Sequence, residues 1–243
     1  MFKRSPSLTE QTKLYIKERI LNNEFADGRI PSETELANTL GVSRTTVRDA
    51  LSKLENEGVI TRKQGVGTFI NQPGLQVRTR LEEVWSYEEV LRAHGYTPSV
   101  QMLNMILEPA DAGSARTLEL DDGEQVLYIE KLFLEDSTPV ILTRNAVPAS
   151  LIQCDYDETL ARRPIYDFLE SCCQRHLSYY LSEIVPVVAD DQLAHRLGIQ
   201  PGVAVLLFEE TGYDVNNQPI VRALSWFRDD LLRFRLIRRR VGM

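Results

Sequence analysis

Over the first seventy positions apolar residues recur with a helical period, and small polar residues mark where each run begins and ends. Leu14, Tyr15, Ile16, Ile20 and Leu21 give one side of a helix that opens at the Ser7/Glu10 capping-box spacing and ends before Asp27-Gly28. Just after Pro31, Ser32 can accept from the backbone of Glu35 while the Glu35 carboxylate reaches back. The helix started there carries Leu36, Ala37 and Leu40 and stops at Gly41, which can take the left-handed conformation of a C-cap. Ser43 caps a third helix, in which Val47, Ala50, Leu51 and Leu54 fall at i, i+3, i+4 and i+7 and define the buried side. Arg44, Thr45, Arg48 and Ser52 occupy the opposite side, and Gly58 closes the helix. Two β-prone runs, residues 59–62 and 68–70, then flank Lys63-Gln64-Gly65-Val66-Gly67, whose glycines permit a tight turn.

This pattern predicts a helix-helix-helix-hairpin domain over residues 1–71. Residues 72–80 lack an apolar period and contain Pro and Gly, which reads as a linker. From 81 to 243 the pattern turns mixed, with helices predicted at 86–94, 111–118, 164–175 and 190–197 between strands. A weak repeat joins its halves at an offset of about 79 positions. Leu107-Glu108-Pro109-Ala110-Asp111 matches Val187-Val188-Ala189-Asp190, Ala115-Arg116-Thr117-Leu118 matches Ala194-His195-Arg196-Leu197, and Val126 to Glu130 matches Val205 to Glu209. Each half then reaches a hairpin turn, the second longer by one residue. Two strand-helix-strand-hairpin units sharing one sheet would leave a cleft between halves. The fold class is therefore mixed α/β of the α+β kind.

Charge changes the picture of what such a chain can bind. Residues 1–70 hold 11 Lys and Arg against 9 Asp and Glu, whereas residues 71–243 hold 17 against 26. A net charge of −7 excludes a basic nucleic-acid coat or a polybasic membrane tether. No run of apolar residues is long enough to span a bilayer, and Met1-Phe2-Lys3-Arg4-Ser5-Pro6 lacks the apolar core of a signal peptide. Three cysteines, Cys154, Cys172 and Cys173, are an odd count with two adjacent, which implies no disulfide framework and suits a reducing cytoplasm.

Arg44 and Arg48 on the open face of a short capped helix suit the DNA major groove, where guanidinium groups pair with guanine O6 and N7 or with phosphate. Thr45 and Thr46 can donate hydroxyls to bases or backbone. The run from Pro31 to Ala37, Gly41-Val42-Ser43-Arg44-Thr45-Thr46-Val47-Arg48-Asp49-Ala50-Leu51, Gly58-Val59-Ile60 and Gly65-Val66-Gly67-Thr68-Phe69 closely resembles the winged helix-turn-helix of GntR-family transcriptional regulators. The resemblance implies contacts to double-stranded operator DNA by Ser43, Arg44, Thr45, Thr46 and Arg48 of the recognition helix and by Gly65 and Gly67 of the wing. Many relatives carry Arg where this chain has Thr34, so a contact from the second helix is missing or weakened.

The remainder resembles the UTRA effector domain of the HutC subfamily. The match rests on Ser86-Tyr87-Glu88-Glu89, Gly95-Tyr96-Thr97-Pro98, Arg144 with Pro148, Ile165-Tyr166-Asp167-Phe168-Leu169, Pro201-Gly202, Ser225 and Arg233-Phe234. It implies a chorismate-lyase-like antiparallel-sheet domain, homodimerisation, and a small-molecule effector such as a sugar phosphate, amino sugar or organic acid. Tyr87, Glu88, Arg144, Tyr166 and Ser225 are the implied effector residues, with Arg144 pairing an anionic group. Glu88 replaces the Ser or Thr of many relatives, and a carboxylate there repels phosphate. Arg163, Glu183 and Arg222 read as structural. Trp85, Tyr213, Trp226 and Phe227 read as core.

The function expected is a ligand-responsive, DNA-binding transcriptional regulator, a cytoplasmic dimeric repressor. The alternative is an enzyme of lyase-like fold acting on a small organic acid, although no nucleophile-base-orienter motif is present. His94, His176 and His195 are widely spaced, so neither a metal nor a cofactor is expected, and a helical metal-binding effector domain conflicts with the strand-rich pattern. The run Arg233 to Arg240 alternates in its first half and reads as a solvated strand face or a C-terminal tail, with accessory DNA contact as the lesser alternative.

Overall fold

The computed structural model describes residues 6–77 and 79–238; residues 1–5, Arg78 and residues 239–243 lie outside the described residues. The chain divides into two units, one running to Arg80 and taking in the chain from Arg235, the other spanning Leu81–Phe234.

The first unit contains α1 (Leu8–Leu21), β1 (Arg29–Ile30), α2 (Glu33–Leu40), α3 (Arg44–Asn56), β2 (Ile60–Lys63) and β3 (Gly67–Ile70). The caps form as the spacing predicts. Ser7 accepts from Glu10, both arms of the Ser32/Glu35 box close, and Gly41 stands at φ 65°. Strand β1 was not apparent in the sequence; it pairs with β3 and gives the sheet order β1-β3-β2. Val47, Leu51 and Leu54 of α3 are fully buried against Ile16, Ile20, Phe25, Leu36 and Ile60. Only part of the apolar side of α1 takes part, because Leu14, Tyr15 and Leu21 are exposed. At the end of α3 the buried Glu57 lies 3.0 Å from Lys13 and 2.9 Å from Lys17. Burial alone would raise its pKa, but the two ammonium groups outweigh it and hold the carboxylate below its ordinary value.

Residues 72–80, expected as a linker, instead belong to this unit. Gln72–Gln76 forms a 3-10 turn whose Leu75 packs on the core. Gly74 presses against the carbonyl oxygen of Gly58, so a Cβ there would collide with backbone.

In the second unit α4 (Tyr87–Ala93) precedes two matched halves. The first is β4 (Pro98–Pro109), α5 (Ala112–Thr117), β5 (Gln125–Glu135) and β6 (Thr138–Pro148). A connector with α6 (Glu158–Arg162) and α7 (Ile165–Cys173) leads to β7 (Leu177–Val188), α8 (Asp191–Leu197), β8 (Ala204–Asp214) and β9 (Pro219–Arg228). The six strands form one antiparallel sheet in the order β4-β5-β6-β9-β8-β7, so the repeat seen in the sequence becomes two halves joined at β6 and β9. Asp111 and Asp190 cap the equivalent helices α5 and α8. The hairpin turns differ. Asp136 and Ser137 both take positive φ in the first. The second wraps around buried Asp214, which accepts from the backbone of Asn216 and Gln218. The described part of the run from Arg233 is not a strand: residues 232–238 have no regular structure, Arg239 and Arg240 lie outside the described residues, and the chain from Arg235 belongs to the first unit.

Strand alternation sorts the sheet's side chains onto two faces. On one, Leu132, Leu142 and Trp226 pack with Leu193 and Leu197 of α8, while Val126, Tyr128 and Ala146 pack with Leu118. On the other, Leu127, Ile129 and Val147 lie with Phe168 and Leu169 of α7, and Phe133, Ile141, Phe208 and Phe227 lie with Val90 and Leu91 of α4. Cys154 and Cys172 are joined in a disulfide that ties the connector to α7, with Cα atoms 5.0 Å apart. An odd cysteine count carries no information about such proximity, which only the fold supplies. Cys173 is buried and unpaired, and burial pushes its thiol up to about 11.

Candidate functional site

The recognition helix α3 begins at Ser43, whose hydroxyl accepts from the backbone of Thr46 at 3.0 Å and lies 2.8 Å from the Thr46 hydroxyl. Capping therefore occupies Ser43 and Thr46, while Arg44 and Thr45 stand exposed on the first turn. Arg48 is exposed but engaged: its guanidinium meets Glu33 of α2 at 3.0 Å, and that contact lowers the Glu33 pKa. Arg62 of β2 braces the same helix by donating to the Arg48 carbonyl and to Ser52. At the wing, Gly65 stands at φ 72° at the exposed tip and Gly67 at φ 138°. Arg29 donates to the Val66 carbonyl at 3.0 Å, and its guanidinium approaches within 3.3 Å of where a Gly67 Cβ would stand. The positive φ favours glycine at position 67, and a Cβ there would only make the Arg29 guanidinium give way slightly.

In the second unit the sheet face between the α7 and α4 clusters is open and carries charged groups among apolar ones. There a cavity of about 470 Å³ is lined by Lys131 and Phe133 of β5, Thr143 and Asn145 of β6, Tyr180 and Ser182 of β7, Phe208 and Glu210 of β8, and Ala223 of β9. Residues 81–88, leading into and opening α4, and the start of α7 complete the wall. Lys131 is 2% exposed and donates from Nζ to the carbonyl of Arg163. Burial pulls its pKa down to about 8, against the opposing charges of Glu88 and Asp167. Burial likewise raises the pKa of Glu210, although Ser182 donates to its carboxylate. The hydroxyls of Tyr87 and Tyr180 are held protonated, chiefly by burial and secondarily by Glu210.

Of the sequence-derived effector residues, Tyr87, Glu88 and Tyr166 line this cavity. Ser225 stands just behind it, fully buried, with its hydroxyl 2.6 Å from that of Tyr87. Arg144 does not reach it. Thr143 and Asn145 point into the cavity, so alternation sends Arg144 to the α5 face of the sheet. There it covers the Tyr128 ring at 4.0 Å and meets Asp111 at 3.5 Å and Glu130 at 3.6 Å. Arg222 shares Asp111 on the same face. Trp85 stacks on Phe234, and Trp226 packs with Leu142.

Lys131, Asn145, Tyr180 and Glu210 were missed. A signal for them existed: Lys131 has the parity of Leu127 and Ile129, and Glu210 that of Phe208, so each is a charged residue at an inward position. Among the described residues no group of three or more His, Cys, Asp or Glu could hold a metal ion, and no helix is long and apolar enough to cross a membrane.

Residues 8–70 match the gntR family of bacterial regulatory proteins, and residues 93–233 match the UTRA domain. The chain is 31% identical over 220 residues to the HTH-type transcriptional repressor NagR of Bacillus subtilis, covering 90% of this chain and 89% of that one. It is 30% identical over 185 residues to a histidine utilization repressor of Pseudomonas putida, covering 76% of this chain and 68% of that one. Among solved structures, the possible transcriptional regulator YydK of Bacillus subtilis superposes with a TM-score of 0.76 at 15% identity, covering 96% and 100% of the two chains. PhnF of Mycobacterium smegmatis gives 0.59 at 24%, covering 94% and 99%. These two likenesses carry the fold alone. The capped recognition helix, the glycine wing and the matches across both units agree: this chain belongs to the GntR family, HutC subfamily, and is a ligand-responsive DNA-binding transcriptional regulator with a UTRA domain.

Proposed function

We propose that the protein is a dimeric cytoplasmic repressor that grips its operator through Arg44, Thr45 and Arg48, steadied by the wing at Gly65 and Gly67, and lets go when a metabolite fills the second unit's cavity. The observation that carries this reading is the pairing, in one chain, of an exposed arginine-bearing recognition helix with a cavity whose wall holds Lys131, Asn145 and Glu210. Two half-sites of an operator require two recognition helices, hence two chains. Edge strand β7 supports the dimer, since Leu181, Ile184 and Val188 are exposed along it and an unpaired apolar edge invites a second copy. The relatives named as repressors support the sign of regulation.

The effector must favour the DNA-incompetent arrangement by about 1–3 kcal/mol to switch the operator usefully. Anisotropy of labelled operator DNA, titrated with protein in the presence of compounds that raise the melting temperature, tests the reading. Release by at least one such compound is expected. DNA affinity unchanged by every stabilising compound overturns it. Light scattering of the free protein and of the operator complex tests the dimer; one chain per operator overturns that part.

A further inference from the structure

We propose that the cavity takes a small organic zwitterion, with its carboxylate seated at Lys131 and its protonated nitrogen at Glu210, in preference to any phosphorylated compound. The inference rests on the reading of this cavity as the effector site and narrows it to a ligand chemistry.

The charged groups on the wall are unequal. Lys131 is its single cation among the described residues, and Glu88 and Glu210 both face the same space. A phosphate dianion entering here would meet one ammonium against the carboxylates of Glu82, Glu83, Glu88 and Glu210. Arg144 and Arg222, which lie on neighbouring strands, are turned to the other face and committed to Asp111. A ligand with one negative and one positive end suits the inventory.

Both charges are poorly matched by the protein. Lys131 is 2% exposed, and its Nζ meets one carbonyl, that of Arg163, with no carboxylate at ion-pair distance among the described residues. An ammonium carries three donors, so a seated carboxylate can take those left over. Glu210 accepts from Ser182 and pairs with no cation among the described residues, which leaves a carboxylate oxygen for a donor from the ligand. The two do not pair with each other: Lys131 is on β5 and Glu210 on β8, with β6 and β9 between them, which leaves room for a ligand to join the charges. Asn145, 5% exposed on the wall, has no side-chain hydrogen bond among the described residues, and its amide can both donate and accept. Burying an ion without a counter-ion is costly, and the lowered Lys131 and raised Glu210 pKa values are that cost seen in the free protein. A zwitterion relieves both at once, whereas an anion or an amine relieves one. A cavity of 470 Å³ accommodates a compound the size of an amino acid.

The test is a thermal-shift and calorimetric screen of the full chain. The probes are the twenty amino acids, ω-amino acids including 5-aminopentanoate, imidazole-4-acetate, glucosamine 6-phosphate and inorganic phosphate. Each zwitterion that stabilises the protein is then compared with its carboxylate-only and amine-only analogues on wild type, Lys131→Met and Glu210→Gln. Both variants remove an ill-paired buried charge, and near-UV circular dichroism confirms that they fold. The expected result is a zwitterion that binds about 10- to 100-fold tighter than either analogue, the range a charge-assisted hydrogen bond supplies. Lys131→Met should weaken the zwitterion and the carboxylate-only analogue alike, and Glu210→Gln should reduce the zwitterion to the level of the carboxylate-only analogue. The proposal is overturned if no zwitterion stabilises the protein, if glucosamine 6-phosphate or inorganic phosphate binds more tightly than every zwitterion, or if neither variant changes affinity. Glucosamine 6-phosphate that binds and releases operator would sink the ligand class and leave the effector-site reading standing. A zwitterion that meets every binding criterion yet leaves operator affinity unchanged would do the reverse.

Discussion

Arg44 and Thr45 sit on one turn of one helix, in water, and nothing else in the fold depends on them. Lys131, Asn145 and Glu210 come from three separate strands, lie largely away from solvent, and are held by the whole sheet. The contrast is one of electrostatic state. A solvated arginine costs the fold almost nothing and keeps its full charge for a partner. A buried lysine or glutamate weakens the fold until a ligand completes it, so the free protein is primed to respond to occupancy. One unit is built to recognise and the other to be changed by recognition.

The largest expected effect tests whether the two units are energetically separate. Leu51→Ala empties a fully buried position in the first unit and should lower its unfolding free energy by about 2–5 kcal/mol. Differential scanning calorimetry should show one transition moving and the other staying. Joint movement of both would break the distinction between the units.

Arg44→Ala comes next. It should weaken operator binding by about 1–3 kcal/mol while effector affinity, measured by calorimetry, is untouched. Unchanged operator binding would remove Arg44 from the DNA-reading face.

A pH profile sharpens the contrast further. Lys131 titrates near pH 8 in the folded chain because burial disfavours its ammonium; Glu88 of α4 and Asp167 of α7 face it and oppose that shift. Its folded pKa lies below the unfolded value of 10.5, so between these values the unfolded chain binds more protons and stability rises with pH. The second unit's melting temperature should therefore climb above about pH 8, with a slope of at most about 1.4 kcal/mol per pH unit. Tyr87 and Tyr180, held protonated by burial, reverse the trend above the ordinary tyrosine value of 10.0. Lys131→Met should flatten the rise. The first unit's stability also rises with pH, but at the acid end. Glu57 is depressed by its lysines, so its contribution is complete above the ordinary carboxylate range and fades as pH falls through the folded value.

The smallest effect concerns α2. Thr34 is exposed, and Thr34→Arg should add one phosphate contact, raising the salt dependence of operator binding by about one charge without altering sequence preference. A changed preference would mean that position 34 reads bases.

How much of this was legible follows from the range of the interactions. Ser32 with Glu35, Gly41, and Val47 with Leu51 are local relations, and each was readable because helix geometry repeats within four residues. The repeat in the second unit was readable for a related reason: a copied pattern does not need its partner strand to be known. Arg144 was misplaced because a strand's two faces differ by a single residue, and which parity faces inward is decided by β9 and the helices packed there. Gly74 was invisible for want of any local sign that Gly58 would lie against it. The Cys154–Cys172 bond was equally hidden, since proximity across a connector is a property of the fold.

The joint between β6 and β9 has a consequence for how the second unit can be taken apart. The sheet order places β4, β5 and β6 from one stretch of chain beside β9, β8 and β7 from another, and no strand of one half inserts into the other. Opening the chain near Asp157, in the connector, would yield two pieces that each end in a bare inner edge, marginal alone and complementary together. The pieces should reassemble when co-expressed, and the Cys154–Cys172 bond would then be their covalent link, released by a reductant. A split reporter for the effector could be made from this regulator with no new interface designed.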